Sequence, residues 1–495
     1  MKNKITFILL LLTPILVFSQ WNQIGQDLDG EGAFDRFGRA VSLSDNGNIV
    51  AIGAYENDGN GVNSGHVRVF ENIGNVWTQI GSDIDGESSG DNSGFAVSLS
   101  GDGNIVAIGA RNNTVNGPDT GHVRIYENTG GIWTQIGQDI DGEAALDLSG
   151  QALEISNTGN IVAIGANGND GVNGPSSGHV RVYENLGGVW TQIGQDIDGE
   201  ATSDNSGISV SINANGNIVA IGATLNANSG HVRVYENIGG TWTQIGSDID
   251  GESNGDNSGA AVSLNNNGNI LAIGANSNDG ANGGNSGHVR VYENTGGTWT
   301  QIGQDIDGEA GSDNFGQAVE LSATGDIVAV GAFFNDGNGA DSGHVRVYER
   351  VGNSWIQVGD DIDGESAGDN AGIEIGLSAD GSIVGVGAWR NSDNGIDSGS
   401  VKIYGNASLS IENNAFGEDI SIYPNPTFGT SNINLGNIHD QVELFFYDAL
   451  GKLVNQENYH NIDKLSIDTQ NYSSGIYLLK IISGNQYVDL KLIKG

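Results

Sequence analysis

Residues 77–87 read Trp77-Thr78-Gln79-Ile80-Gly81-Ser82-Asp83-Ile84-Asp85-Gly86-Glu87, and near-copies open at Trp21, Trp133, Trp190, Trp242, Trp299 and Trp355. The gaps between these tryptophans are 56, 56, 57, 52, 57 and 56 residues. A fixed period of this length marks one supersecondary unit copied seven times, each unable to bury its apolar face alone.

The residues before each Trp complete the unit. Ala40-Val41-Ser42-Leu43-Ser44 alternates as a half-buried strand does. Asp45-Asn46-Gly47-Asn48 is a tight turn. Ile49-Val50-Ala51-Ile52-Gly53-Ala54 is short and apolar throughout, as a strand covered on both faces is. A polar loop over 56–65 follows. His66-Val67-Arg68-Val69-Phe70 alternates again, Asn72-Ile73-Gly74-Asn75 turns the chain, and the Trp77 segment is the fourth strand. No helical period interrupts the series. Four short antiparallel strands per repeat make one propeller blade.

The ends of the array predict how it closes. The chain starts on a Trp strand and finishes its seventh repeat on Ser400-Val401-Lys402-Ile403-Tyr404, with no Trp strand after it. The strand at Trp21 therefore supplies the missing fourth strand of blade 7. The predicted fold is all-β: a seven-bladed β-propeller over 20–405, closed by its N-terminal strand. Closure removes the exposed sheet edge of a linear array. Strand alternation sends the long loops, after each Trp strand and before each His strand, to one face. The short turns occupy the other, so a binding site is expected on the long-loop face. Residues 406–418 read as a linker. Residues 419–495 read as a small C-terminal β-sandwich, with strand-like runs at 420–423, 442–447, 476–482 and 487–493.

Composition narrows the function. Net charge is −42, from 19 basic and 61 acidic residues, which argues against nucleic acid and for cations, cationic partners or solubility. There is no Cys, so disulfides, thiol catalysis and Cys-ligated zinc are excluded. The 80 glycines exceed the usual share of about 7%, but they recur at fixed positions and read as turns and close-packing points. Residues 1–19 form an expected signal peptide: Lys2 and Lys4, an apolar run over 5–18, then Val17 and Ser19 at the cleavage position. No other segment is apolar enough to span a membrane, so an exported protein without a membrane span is expected.

The repeat resembles the FG-GAP type of the integrin-α propellers. The matching residues are Phe37-Gly38 and Phe315-Gly316 at the first strand, and Gly53-Ala54, Gly109-Ala110 and Gly165-Ala166 ending the second. One departure stands out. The calcium loop of that family lies between first and second strands, and here it shrinks to a turn that in the copy Asn213-Ala214-Asn215-Gly216-Asn217 holds no acid. The C-terminal residues resemble the type A sorting domain of the type IX secretion system. Four elements match in order: Tyr423-Pro424-Asn425-Pro426, the segment with Gly451-Lys452, the segment with Gly475 and Tyr477, and the closing run from Lys491 to Lys494. That resemblance implies export through the periplasm by the type IX machinery, to the outer surface of a Gram-negative cell or beyond it.

Three residue sets are candidates for chemistry. The first is the acidic loop: Asp27/Asp29/Glu31, Asp83/Asp85/Glu87 and their five repeat equivalents, with a further Asp four residues on, from Asp35 to Asp369. Alternate carboxylates beside a Gly turn suit structural calcium. The competing reading is a turn whose acids meet the neighbouring Arg. The second set is His66, His122, His179, His231, His288 and His344, each two residues before an Arg. One per blade is too dispersed for a shared metal ring, so these and the tryptophans are expected to be structural. The third set comes from broken symmetry, since residues identical in every blade serve the blade. After each Gly-Ala stand Tyr55, Arg111, Asn167, Thr224, Asn276, Phe333 and Trp389. Tyr55, Arg111, Phe333 with Phe334, and Trp389 with Arg390 fall on consecutive blades 6, 7, 1 and 2. They predict an aromatic and basic ligand-binding arc for a glycan or protein. No convergent nucleophile and base stand out, so a non-catalytic binding or adhesion module is expected. The alternative is a secreted polysaccharide hydrolase or lyase with an acidic pair at the channel mouth. It would be marked by carboxylates near the channel that differ from their repeat equivalents.

Overall fold

The computed structural model describes residues 20–406 and 421–494, the latter without 424–426, 428, 449–452, 471, 474 and 484–485. The expected signal peptide and most of the linker lie outside the described residues. The chain divides into two compact units that part between Ser410 and Ile411.

Blade 1 comprises Phe37–Leu43, Ile49–Ala54, His66–Asn72 and Trp77–Gln79, all antiparallel, with Val41 opposite Ile52, Ile52 opposite Arg68 and Asn72 opposite Trp77. The fourth strand breaks after Gln79 and resumes as Ile84–Asp85 against Val67 and His66. The break is held by Gln79 Nε2 donating to Asp83 Oδ1 at 2.7 Å. Seven sheets repeat this plan. In blade 7, Asn22–Gln23 pairs with Ser400–Gly405, and Leu28–Asp29 returns to Val401 and Ser400. The N-terminal strand thus closes the ring.

The cores lie between blades. Val50 and Ile52 pack toward Val401 and Ile403 of blade 7, whereas Ala51 packs toward Leu99, Val106 and Ile108 of blade 2. This explains the unbroken apolar second strand: each of its faces meets a different core. Blades approach closely enough that a Cβ on Gly53 would stand 2.0 Å from the carbonyl oxygen of Gly94. Only glycine fits there, which is the physical content of the Gly-Ala and Phe-Gly signatures.

The first strands line a central channel of about 330 Å³. Its end on the short-turn face is ringed by seven backbone hydrogen bonds of 2.8–3.3 Å: Asp45 N–H to Gly101, Gly101 to Asn157, Asn157 to Ala214, Ala214 to Asn266, Asn266 to Ala323, Ala323 to Ala379, and Ala379 back to Asp45. The other end opens on the long-loop face.

In the second unit the strands Ser421–Tyr423, Thr430–Asp448, Leu453–Asp468, Gly475–Ser483 and Gln486–Lys494 form one antiparallel sheet. It encloses a core that includes Ile433, Leu444, Phe446, Leu479 and Ile481. The strand Leu453–Asp468 was not expected from sequence. Most of its described side chains are exposed, so it carries no apolar alternation. Of the sorting motif, Tyr423 ends the first strand, Gly475 opens the fourth, and Lys491 and Lys494 lie in the last. Tyr477 is buried and stacks on Phe446 at 4.9 Å. Pro424, Asn425, Pro426, Gly451 and Lys452 lie outside the described residues.

Candidate functional site

The predicted arc is largely assembled at the channel mouth. Arg111 holds its guanidinium 3.6 Å from the Phe95 ring centre, Phe95 meets Tyr55 edge-on at 5.4 Å, and Tyr55 stacks on Trp389 at 6.4 Å. Arg390 lies 5.5 Å and Arg36 5.3 Å from the Trp389 ring centre, and Arg39 lies 4.4 Å from that of Phe95. The result is a continuous ladder of rings and guanidiniums across blades 7, 1 and 2. Arg36 is paired with Asp397 and Glu56, and Arg39 with Glu374. Arg111 and Arg390 have no carboxylate partner among the described residues; Arg111 donates instead to Gln151 at 2.9 Å. Tyr55 is buried, and burial with Glu56 beside it pushes its phenol up to about 12, so it stays protonated. Phe333 and Phe334 form a separate pair at 3.9 Å. Their link to the ladder is Asn370, which donates to the Phe333 carbonyl and accepts from Trp389 Nε1.

Two sets of mouth and channel residues were missed. Phe95 is the third residue of its first strand, where other blades carry Arg39, Gln151, Ile208, Ala260, Gln317 and Ile373. Comparison of that column would have found it. The second set is Glu154, Glu320 and Glu374 on the channel wall. Glu154 and Glu320 stand where blades 1, 2, 4 and 5 have Ser42, Ser98, Ser211 and Ser263. Those serines accept a backbone N–H from the next blade, as in Leu99 to Ser42 at 3.0 Å, and Glu154 accepts from Ile212 at 2.7 Å. Burial pushes Glu154 and Glu374 up to about 7. Glu320 is held well above the ordinary carboxyl range by burial and by repulsion from Glu154 and Glu374.

The acidic loops divide their labour. The first Asp accepts from the Gln two residues after the Trp in all seven copies, as Asp27 does from Gln23 and Asp361 from Gln357. The Asp four residues beyond the Glu caps its own turn: Asp35 Oδ2 accepts from Gly32 N at 2.8 Å and Asn57 Nδ2 at 3.0 Å. Arg68 Nη2 donates to the Asp29 carbonyl at 2.6 Å, with Nη1 3.7 Å from Glu31. Glu31 approaches His66 and Asp83 of the next blade.

Comparison with known proteins gives two matching families. The secretion system C-terminal sorting domain matches residues 421–495, and the FG-GAP repeat matches residues 28–70. No curated protein matches the chain. Among solved structures, a periplasmic gluconolactonase of Pseudomonas aeruginosa is 16% identical, covering 66% of this chain and 85% of its own, at a TM-score of 0.45. A fungal alcohol oxidase in complex with copper is 11% identical, covering 96% of this chain and 100% of its own, at a TM-score of 0.48.

Proposed function

We propose, for a chain that is an FG-GAP repeat propeller carrying a type IX secretion sorting domain, that the propeller is a non-catalytic binding module whose ligand is an acidic glycan. The sorting domain delivers it to the outer cell surface or the extracellular space. The observation that carries the binding reading is the pair Arg111 and Arg390. Each guanidinium lies against an aromatic ring at the channel mouth with no carboxylate ion-paired to it among the described residues, in a chain of net charge −42. Guanidinium forks recognise carboxylate and sulfate, and the flat Trp389 face suits a sugar ring.

The test is a glycan array followed by titration with the best binder, with and without a calcium chelator. A uronate or sulfated polymer is expected to bind. Arg111→Gln and Arg390→Gln should each weaken it about tenfold, roughly 1.4 kcal/mol. Preference for neutral glycans, or binding unmoved by both substitutions, would overturn the assignment.

One observation favours a second reading. Glu154, Glu320 and Glu374 are channel carboxyls unlike their repeat equivalents, and the near-neutral pair suits general acid and base roles in hydrolysis or elimination. Release of oligosaccharides from the bound polymer, abolished by Glu154→Gln and by Glu374→Gln, would favour this reading over simple binding.

A further inference from the structure

In blades 1–6 the third strand opens on a histidine that is 1–2% exposed, at the seam between two blades. No acceptor or donor reaches its Nε2. Its other nitrogen faces acids from two copies of the acidic loop. In blade 2, His122 Nδ1 lies 4.0 Å from each of Glu87 Oε2, Asp139 Oδ2 and Asp141 Oδ1. Asp141 Oδ1 is itself buried without a partner. These separations exceed a hydrogen bond. Neighbouring ligands of a tetrahedral ion with bonds of about 2.0–2.2 Å stand roughly 3.3–3.6 Å apart, so small side-chain rotations would bring these atoms to that spacing. Glu31/His66/Asp83, Glu143/His179/Asp196, Glu200/His231/Asp248 and Glu252/His288/Asp305 repeat the arrangement.

The remaining blades show what such a seam requires. In blade 7, Ser400 replaces the histidine and Lys402 the arginine, and Lys402 Nζ bridges Asp27, at 3.2 Å, and Glu365. This Asp and Glu are the equivalents of Asp139 and Glu87, so a cation does sit between them. In blade 6, Arg346 bridges the pair itself, reaching Asp361 at 3.0 and 3.1 Å and also Glu309. In blades 1–5 the arginine does neither. Its Nη2 is committed to a backbone carbonyl of the preceding loop, and its Nη1 stays 3.5–3.7 Å from the Glu. No protein cation lies between Asp and His there.

We infer that blades 1–5 each bind one divalent transition-metal ion at the seam, held by the His Nδ1, the first Asp of the blade's own acidic loop and the Glu of the preceding loop. An imidazole ligand selects zinc or a similar borderline ion, where calcium prefers oxygen alone. In blade 2 the three carboxylates and Arg124 sum to −2, which one such ion neutralises. The ion would join consecutive blades, as Lys402 does in blade 7.

The experiment is a metal count on the purified full chain. The protein is stripped with chelator, dialysed against zinc chloride or calcium chloride, and assayed by mass spectrometry of the bound metal. About five zinc ions per chain are expected, undisplaced by equimolar calcium. His122→Gln should lower the count by one. Should that variant not fold, Glu87→Gln, on the exposed rim, should do the same. Fewer than one ion per chain, a count that neither substitution changes, or calcium taken up as readily as zinc would each overturn the inference.

Discussion

Glu154, Glu320 and Glu374 show how one residue can escape a repeat-based reading. Their strands alternate as their neighbours do, so the fold is legible through them, but a search among the 61 acids is drawn to the 21 that recur in the acidic loops. What distinguishes the three is the channel, which the sequence does not display. Their environment has a consequence for stability. Burial raises Glu154 from an ordinary 4.5 to about 7. A carboxyl raised in the fold is bound more tightly by its proton there than in the unfolded chain. Its contribution to stability is therefore lost as pH rises from about 4.5 through 7. The full shift corresponds to roughly 3 kcal/mol, and water in the channel should reduce it to about 1 kcal/mol. Glu154→Gln keeps an oxygen to accept the Ile212 N–H. We expect it to be more stable than the parent by about 1 kcal/mol at pH 8 and equal to it near pH 4.5. The six seam histidines are lowered by burial and remove stability as pH falls below 6.5, so the difference between variant and parent is the quantity to read. Urea midpoints at the two pH values measure it. An equal offset at both would sink the explanation.

At the scale of the strand, the repeated Trp is more than packing. Each indole N–H donates to a carbonyl of the preceding blade: Trp77 to Ile24, Trp133 to Ile80, Trp190 to Ile136, Trp242 to Ile193, Trp299 to Ile245 and Trp355 to Ile302, while Trp21 reaches Val358. Period and strand order were legible because alternation and turn residues are local signals. These inter-blade bonds were not, because a Trp three residues before an apolar position looks the same whether it packs or donates. The same holds for the Gln that clamps the Trp backbone from the preceding blade. Gln26, Gln138, Gln195 and Gln304 donate to Trp77, Trp190, Trp242 and Trp355, all buried. Ser82 and Ser247 occupy the clamp position before Trp133 and Trp299, which are only half-buried. Ser82→Gln should therefore supply the missing bond. A gain of about 0.5–1 kcal/mol is expected, with a blue shift in the Trp133 share of the fluorescence. Lower stability, or an unshifted spectrum, would mean that the serine blades are closed in another way.

At the scale of the molecule, two circuits run through all seven blades, the indole bonds and the backbone ring at the short-turn end of the channel. The indole circuit is completed only by the N-terminal strand. Residues 20–30 supply Trp21, the pairing of Asn22 with Gly405, and the bridge from Asp27 to Lys402. They also supply Leu28 opposite Val401. These contacts span more than 330 residues of sequence, so they can form only after the last blade is made. Without them, the third strand of blade 7 becomes an exposed edge with unpaired backbone groups, a template for another chain. Deleting residues 20–30 should leave most of the strand signal in circular dichroism, since six blades keep all their own strands. Melting should fall and broaden, because a linear array frays from its ends where a ring does not. The truncated chain should also associate with rising concentration, and a synthetic peptide of residues 20–36 should reverse both effects. Sedimentation velocity and thermal melts, with and without peptide, measure this. A truncated chain that melts and sediments as the parent does would show that the seams alone hold the seven blades in place, and that the N-terminal strand only covers an edge the ring could leave bare.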